Sequence, residues 1–443
     1  MKLWQKNYQV DQEIERFTVG RDRELDLELA PYDIQGSLAH IKMLCEVGLL
    51  EKPELEELVK GLQSLYKEVE AGRFTIEEGI EDVHSQVEHW LIQNLGEIGK
   101  KIHSGRSRND QVLVDLKLYL RAQVRAVIQD IEKLFETLIT LSEQHKDQLL
   151  PGYTHLQVAM VSSFGLWFGA YAESLVDDLQ QWLSTFKIIN QNPLGSAAGY
   201  GSSFPLDRQM TTDLLGFADL NYNVVHAQMG RGKSELFMAF SLSATAHTLG
   251  KMAMDVCLFI NQNFGFIAFP DELTTGSSIM PHKKNPDVFE IIRGRCNQLI
   301  ALPSQVSMLT TNLPSGYHRE FQLLKEVLFP AIHQIKDCLQ MAAFALEHIQ
   351  IKDNILAEDK YRYLYSVEEV NRLVLQGTPF RDAYKIVGQQ IADGSFDPDR
   401  SVAHTHAGSL GNLCNDAIQG KWQGVKEQFQ FDQIDQRIEQ LLG

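Results

Sequence analysis

The stretch "RSRNDQVLVDLKLYLRAQVRAVIQDIEKLFETLITLSEQHKDQLL", residues 106–150, contains neither a glycine nor a proline. The chain as a whole holds 31 glycines and 13 prolines in 443 residues. At the usual combined share of about 12%, a window of this length would lack both only roughly once in a hundred times. Within it, Leu113, Leu116, Leu120, Val124, Val127, Ile131, Leu134, Leu138 and Leu141 follow one another at steps of three or four. A single apolar stripe of that period marks a helix of a bundle or coiled coil. At 1.5 Å per residue, a helix of ~35–40 residues spans on the order of 50–60 Å. Few single domains need such a rod unless several pack side by side.

The pattern recurs outward from this stretch. Residues 158–190 read as a second rod, with Gly165 and Gly169 as points of close packing. Residues 232–263 read as a third, and 288–311 and 321–350 as a fourth and fifth. No alternating β-branched runs bounded by turn pairs separate them. The predicted fold is all-α with three domains: a mixed helical head (1–105), a central long-helix bundle (106–352) and a small helical tail (353–443). "EKPE", "AGRF" and "NLGEIGKK" break the head into shorter segments. In the tail, "GTPFRD" reads as a helix start with Thr378 as N-cap and Pro379 in the first turn. "DGSFDPDRS" reads as a loop.

Hydrophobic residues make up 44% of the chain and charged residues 22%, as in ordinary globular proteins. A formal charge of −17 argues against nucleic acid as a partner, because phosphate contacts need a basic field. It leaves room for a local basic site for a small anion. Five scattered cysteines without a CxxC pair give neither a zinc knuckle nor a disulfide frame, and a reducing compartment fits them. "MKLWQKNYQV" lacks the apolar core of a signal peptide. No run of about 20 apolar residues suggests a membrane span. The expected location is the cytoplasm.

Four segments are rich in polar residues where the rods end or break. "HSGRSRNDQ" (103–111) opens the first rod. A helix start presents unpaired N–H groups and a positive dipole end, and Arg106, Arg108 and Asn109 add charge and donors, which suits a carboxylate or phosphate; a solvated cap with surface arginines is the plain alternative. "GYTHLQ" (152–157) places Thr154 and His155 just before the second rod, where a lone histidine is as readily structural as chemical. "GSSIMPHKKNPD" (276–287) is written like no regular helix or strand. A serine acts as a base only when cations and N–H donors stabilise its alkoxide in a water-poor site. Lys283 and Lys284 supply the cation, and Gly276 frees the backbone to turn amides inward. Prolines stiffen the parts while the glycine hinges the whole, as in a closing lid. An ordinary basic loop explains the lysines and prolines but not the apolar Ile279–Met280 pair. "SGYHREFQLLKE" (315–326) brings Tyr317, Gln322 and Lys325 to a helix start, or lays them on a solvated face. In "EDVHSQVEHW", His84 and His89 are five apart and fall on different helix faces, so no metal site is read there. "HTH" at 404–406 has no acidic or cysteine partner close by in sequence. The glycine-rich "LGSAAGYGSSF" (194–204) follows a helix rather than a strand, which disfavours a dinucleotide cradle.

Taken together, these segments carry a resemblance. "GSSIMPHKKNP" resembles the signature loop of the fumarase/aspartase superfamily, whose members eliminate fumarate from succinyl-type substrates. "SGRSRNDQV", "GYTHLQ" and "NPLGSAAGYGSSFPLDR" are similar to motifs of its argininosuccinate lyase family, and the likeness runs from about "DIQGS" at residue 33 to about residue 330. The resemblance implies a homotetramer with a 20-helix core and active sites shared between subunits. It implies cleavage of L-argininosuccinate to L-arginine and fumarate, with a small-molecule substrate and no metal or organic cofactor. By the same resemblance, Ser277 is the base that removes the Cβ proton, and Lys283 stabilises the carbanion. His155, with Thr154, assists the departing guanidinium nitrogen, and Glu290 of a neighbouring subunit orients His155. Arg108, Asn109 and Asn285 hold the fumarate-side carboxylates; Tyr317, Gln322 and Lys325 grip the amino-acid end; Asp82 lies in a further family-like segment. Two other readings stand beside it: a related lyase such as adenylosuccinate lyase, whose substrate would demand phosphate-binding residues, and a structural lens-protein role, which loss of Ser277, His155 or Lys283 would favour. At the amino terminus the family's usual Gly-Gly-Arg-Phe opening and its substrate-binding serine have no counterpart. Arg21, Asp22 and Arg23 occupy that neighbourhood instead, which leaves the arginine-side contacts of the head open.

Overall fold

A computed structural model describes residues 11–443. The opening "MKLWQKNYQV", read above as lacking a leader core, lies outside the described residues. Ahead of the long stretch come α1 (Gln12–Val19), α2 (Ala30–Glu46), α3 (Lys52–Glu70) and α4 (Val83–Leu95). The stretch itself forms one unbroken helix, α5 (Arg108–Gln144), of 37 residues. Ser107 and Asp110 close a capping box at its start, which satisfies amides that the first turn leaves without partners. Every apolar residue of the predicted stripe is buried.

Four more rods pack with it: α6 (Phe164–Ile189), α7 (Lys233–Ile260), a broken one made of α8 (Asp287–Ile300) and α9 (Leu302–Thr310), and α10 (Leu323–Leu346). Helix α5 packs against α6 and α10, and α7 against α6 and α8. The rods share one large apolar core, and the chain is mostly helical, as predicted. No helix among the described residues is long and apolar enough to cross a membrane.

Three local readings are corrected. Residues 158–163 are not helix. They belong to β2 (Gln157–Ser163), which pairs antiparallel with β1 (Leu149–Thr154), so the second rod begins only at Phe164. The fourth rod is two helices, because Pro303 at the start of α9 cannot donate the hydrogen bond that would continue α8. In the tail, α11 (Ser366–Leu375) and α12 (Phe380–Asp393) form a pair, and the N-cap of α12 is Pro379 rather than Thr378. This pair has its own small core of Val370, Ala383, Val387 and Phe396. The last helices, α13 (Asn415–Lys426) and α14 (Phe431–Leu442), return to the main core through Trp422, Phe429 and Leu441. Trp422 stacks on Phe135 of α5, with ring centroids 4.4 Å apart.

Among the described residues several large apolar side chains of the rods are exposed, Phe240, Met254, Ile291, Met341 and Phe344, and of these Ile291, Met341 and Phe344 line one common depression. Elsewhere the packing is tight. A Cβ on Gly165 would lie 2.7 Å from Lys146 Cα and 2.9 Å from Ser142 O, whereas one on Gly169 would meet Ser142 Oγ at 3.3 Å. The backbone at and just beyond the end of α5 cannot yield where a hydroxyl can rotate. Gly165→Ala is therefore expected to destabilise the chain by about 1–3 kcal/mol, and Gly169→Ala by clearly less. Denaturant unfolding of the two variants decides this; equal midpoints would show that the approach at Gly165 is not tight.

Candidate active site

The polar ends of several rods converge on one cavity of about 240 Å³. Its walls include Asp82, Arg108, Asn109, Tyr317, Gln322 and Lys325, all predicted from sequence as binding residues. They come from three segments: the start of α4, the start of α5, and the turn leading into α10 with that helix's first turn. Asp22, Asp26, Glu81, His84, Val112, Arg231 and Arg319 complete the lining, and sequence reasoning did not assign them. Glu81 and Arg319 sit inside segments already singled out, but only the fold brings them together.

Ion pairs and hydrogen bonds fix the cavity. Asp82 caps α4, accepting from Ser85 N at 2.9 Å and Ser85 Oγ at 2.7 Å. Arg108 donates to Glu81 at 3.0 Å and to Ser85 Oγ at 2.8 Å, and its Nε lies 3.1 Å from Asp82. Burial alone would raise the Asp82 carboxyl, but His84, Arg108 and Ser85 outweigh it and hold it below the usual range. Arg319 donates to the other oxygen of Glu81 at 2.8 Å and to Thr18 O at 2.8 Å. Gln322 Nε2 donates to Thr18 O and Val19 O at 2.9 and 3.2 Å. Lys325, 4% exposed at its side chain, pairs with Asp22 at 2.8 Å and with Asp26. Burial pulls its pKa down, yet the two aspartates raise it on balance; the ammonium stays charged. Arg106, expected beside Arg108, instead turns inward, donates to Ser37 Oγ at 3.0 Å and lies outside the cavity wall. Asp110 reaches the glycine-rich segment, accepting from Gly195 N at 3.0 Å and Ala197 N at 2.9 Å. Burial pushes its carboxyl up to about 6 despite these donors.

Behind the cavity, His84 is buried between two carboxylates, with Nδ1 2.8 Å from Asp33 and 3.3 Å from Asp115. The ligand atoms of the three residues lie within 4.8 Å of one another. Burial would lower the imidazole pKa, but Asp33, Asp82 and Asp26 raise it on balance. At the other histidine pair, His404 meets Glu368 at 3.0 Å, an acidic partner that the sequence around "HTH" does not show.

The remaining predicted residues lie apart from this cavity. Thr154 and His155 stand at the exposed tip of the β1–β2 hairpin, where Thr154 pairs with Gln157 across a two-residue turn. His155 and Leu156 both have positive φ, 53° and 57°, as a type I′ turn demands. For residues other than glycine this costs roughly 1–2 kcal/mol each. The segment 276–287 forms a loop closed by β3 (Thr275–Gly276) and β4 (Lys284–Asn285). Ile279 N and Met280 N donate to Ser277 Oγ at 3.3 and 3.1 Å. Gly276 is extended within β3 and does not aim these amides, which corrects the role given to it. Lys284 pairs with Asp271, while Lys283 makes no ion pair among the described residues. Asn285 Nδ2 approaches Gly276 O at 3.4 Å. Glu290 is exposed in the first turn of α8. Within one chain, then, six of the predicted binding residues meet at the cavity, while Thr154, Asn285 and half-buried Ser277 lie apart from it, as do exposed Lys283, His155 and Glu290.

Long helices with polar ends and an exposed signature loop are the fold of the fumarase/aspartase superfamily. An EDDS lyase variant solved with bound fumarate superposes with a TM-score of 0.75 over 98% of this chain and 94% of that one, at 19% identity. The class II fumarase of Schistosoma mansoni gives 0.70 over 96% and 94%, at 16% identity. A family model described as a lyase matches residues 7–301. The chain is 60% identical to the argininosuccinate lyase of Bacteroides thetaiotaomicron, over 100% of this chain and 99% of that one. It is 38% identical to that of Stenotrophomonas maltophilia, over 96% and 99%. The chain belongs to the argininosuccinate lyase family.

The His84 cluster carries a pH signature. A pKa raised on folding adds stability below the unfolded histidine value of about 6.5, and that stability fades as pH rises through the folded value. The buried, raised Asp115 carboxyl acts in the same direction. His84→Gln is expected to cost about 3 kcal/mol or more in mildly acid buffer, and less as pH rises above that range. Thermal melts of both proteins across pH check this; a gap that does not change with pH would mean that folding leaves the His84 pKa unshifted, and one that shrinks as pH falls would mean that His84 is neutral in the fold.

Proposed function

We propose that this protein cleaves L-argininosuccinate to L-arginine and fumarate by β-elimination, in arginine biosynthesis in the cytoplasm. The observation that carries the reading is the meeting of Asp82, Arg108, Asn109, Tyr317, Gln322 and Lys325, distant in sequence, on one cavity. In this reading Tyr317, Gln322 and Lys325 hold the amino-acid end. Arg108 and Asn109, with Asn285, hold the succinyl carboxylates; the guanidinium of Arg108 has N–H groups beyond those given to Glu81 and Ser85. Ser277 removes the Cβ proton, and Lys283 stabilises the negative charge that builds on the adjacent carboxylate. The C–N bond then breaks, and His155 delivers a proton to the departing guanidinium nitrogen, with Glu290 orienting its ring. Two backbone amides on Ser277 Oγ, and on the same loop Lys283, which has no ion pair among the described residues, support Ser277 as the base, since both kinds of group favour its alkoxide.

The same reading makes the enzyme a homotetramer. The catalytic set, apart from the cavity within one chain, needs a second subunit to meet it. The exposed apolar side chains of the rods, with Ile291, Met341 and Phe344 gathered in one depression, are the kind of surface that an obligate interface buries. The division into head (1–105), bundle (106–352) and tail (353–443) belongs to this proposal too, supported by the separate small core of the α11–α12 pair.

Ultraviolet absorbance tests the reaction. Purified protein is expected to release fumarate from L-argininosuccinate and not from adenylosuccinate. Ser277→Ala should lower turnover by about a thousandfold or more while leaving the sedimentation of the assembly unchanged. Fumarate from adenylosuccinate alone would overturn the substrate, and full turnover in the variant would overturn the base.

A further inference from the structure

We propose that Asp22 makes the cavity selective for a free α-ammonium group on the amino-acid end of its ligand; this rests on the reading of that end given above. Asp22 opens a short helical turn, Asp22–Leu25, directly after the segment that Gln322 and Arg319 hold by its carbonyls. It is 8% exposed and lines the cavity. Its Oδ1 lies 2.8 Å from Lys325 Nζ, yet no donor among the described residues is aligned for a hydrogen bond to that oxygen. Lys325 turns its aligned hydrogen bond on Asp26 instead. One ammonium is thus shared by two carboxylates, and the cavity wall here carries an excess negative charge.

A second acceptor lies on the same wall. The carboxamide of Gln322 is fixed by Nε2, which donates to Thr18 O and Val19 O. A flipped amide would set oxygen against those two carbonyls, so the assignment of Oε1 is firm. That oxygen is buried and accepts nothing among the described residues. Two buried acceptors without aligned donors, beside unbalanced negative charge, call for a small cation with several N–H groups. A primary ammonium meets that demand. The α-carboxylate next to it on an amino acid would then meet Lys325. Burial raises the Asp22 carboxyl and Asp26 adds to it, while Lys325 and, more weakly, Arg319 offset this only in part; a further cation in direct contact is what such a carboxyl lacks.

The test needs no turnover. Calorimetry is run with L-arginine and with 5-guanidinopentanoate, which is arginine without its α-amino group. Wild type is expected to bind L-arginine about ten- to a hundredfold more tightly, the worth of a charge-assisted hydrogen bond to a buried partner. In Asp22→Asn the ratio should fall towards one, and Asp22→Glu should restore part of it. A purely structural role, in which Asp22 only steadies Lys325, would weaken both ligands equally and keep the ratio; that result overturns the proposal. So does a ratio near one in wild type, which stands even if the variants do not fold. Failure of the activity reading shows separately, as absence of fumarate release from L-argininosuccinate by the wild-type enzyme.

Discussion

The carboxylate of Glu81 stands between two guanidiniums, Arg108 and Arg319, one on each oxygen. Its side chain is 8% exposed. Two arginines would repel each other at this range without it. Losing one member of a fully buried pair typically costs about 3–5 kcal/mol; here Arg319 is half exposed and Arg108 keeps Asp82, so the cost is smaller. The three residues come from the loop before α4, the first turn of α5 and the turn before α10. Arg319 also holds the carbonyl of Thr18, so the N-terminal segment is tied in as well. Everything the cavity presents hangs on these few contacts: the cap of α4, the orientation of Arg108, and the position of Gln322 and Lys325. The rods supply stiffness, but the ion cluster decides how their ends meet.

Periodicity made the rods legible. Leu113 to Leu141 keep one face apolar for the whole of α5, and nothing in the sequence competes with that pattern. The errors fall where two signals overlap. Val158, Ala159, Met160 and Val161 continue the apolar run of α6, so a short strand was absorbed into the helix. The loss of one backbone donor at Pro303 ends α8, though the apolar pattern runs on through it. Thr378 is a good cap by type, but the chain turns one residue later.

The site was legible in its parts and not in its arrangement. Polar residues at rod ends stood out because a helix stripe predicts none there, which is how Arg108, Asn109, Gln322 and Lys325 were found. Local sequence cannot say which of two arginines turns inward, and Arg106 did. Nor can it reveal Glu81, His84 or Arg319, whose importance comes from partners that lie 27, 51 and 238 positions away. Ser277, His155, Lys283 and Glu290 are read from motif alone, and within the single chain the fold places them away from the cavity.

The hairpin tip sets backbone and side chain against each other. A left-handed pair is most comfortable as Asn-Gly, yet the chain keeps His155 and Leu156 there. Selection for sturdiness alone would replace both; selection for chemistry, on the role proposed for His155, would keep the histidine and tolerate the strain. Positions 155 and 156 are thus a place where a pool of variants would split by what is demanded of it. The gap in melting temperature between the two winners would measure what one imidazole is worth to this enzyme.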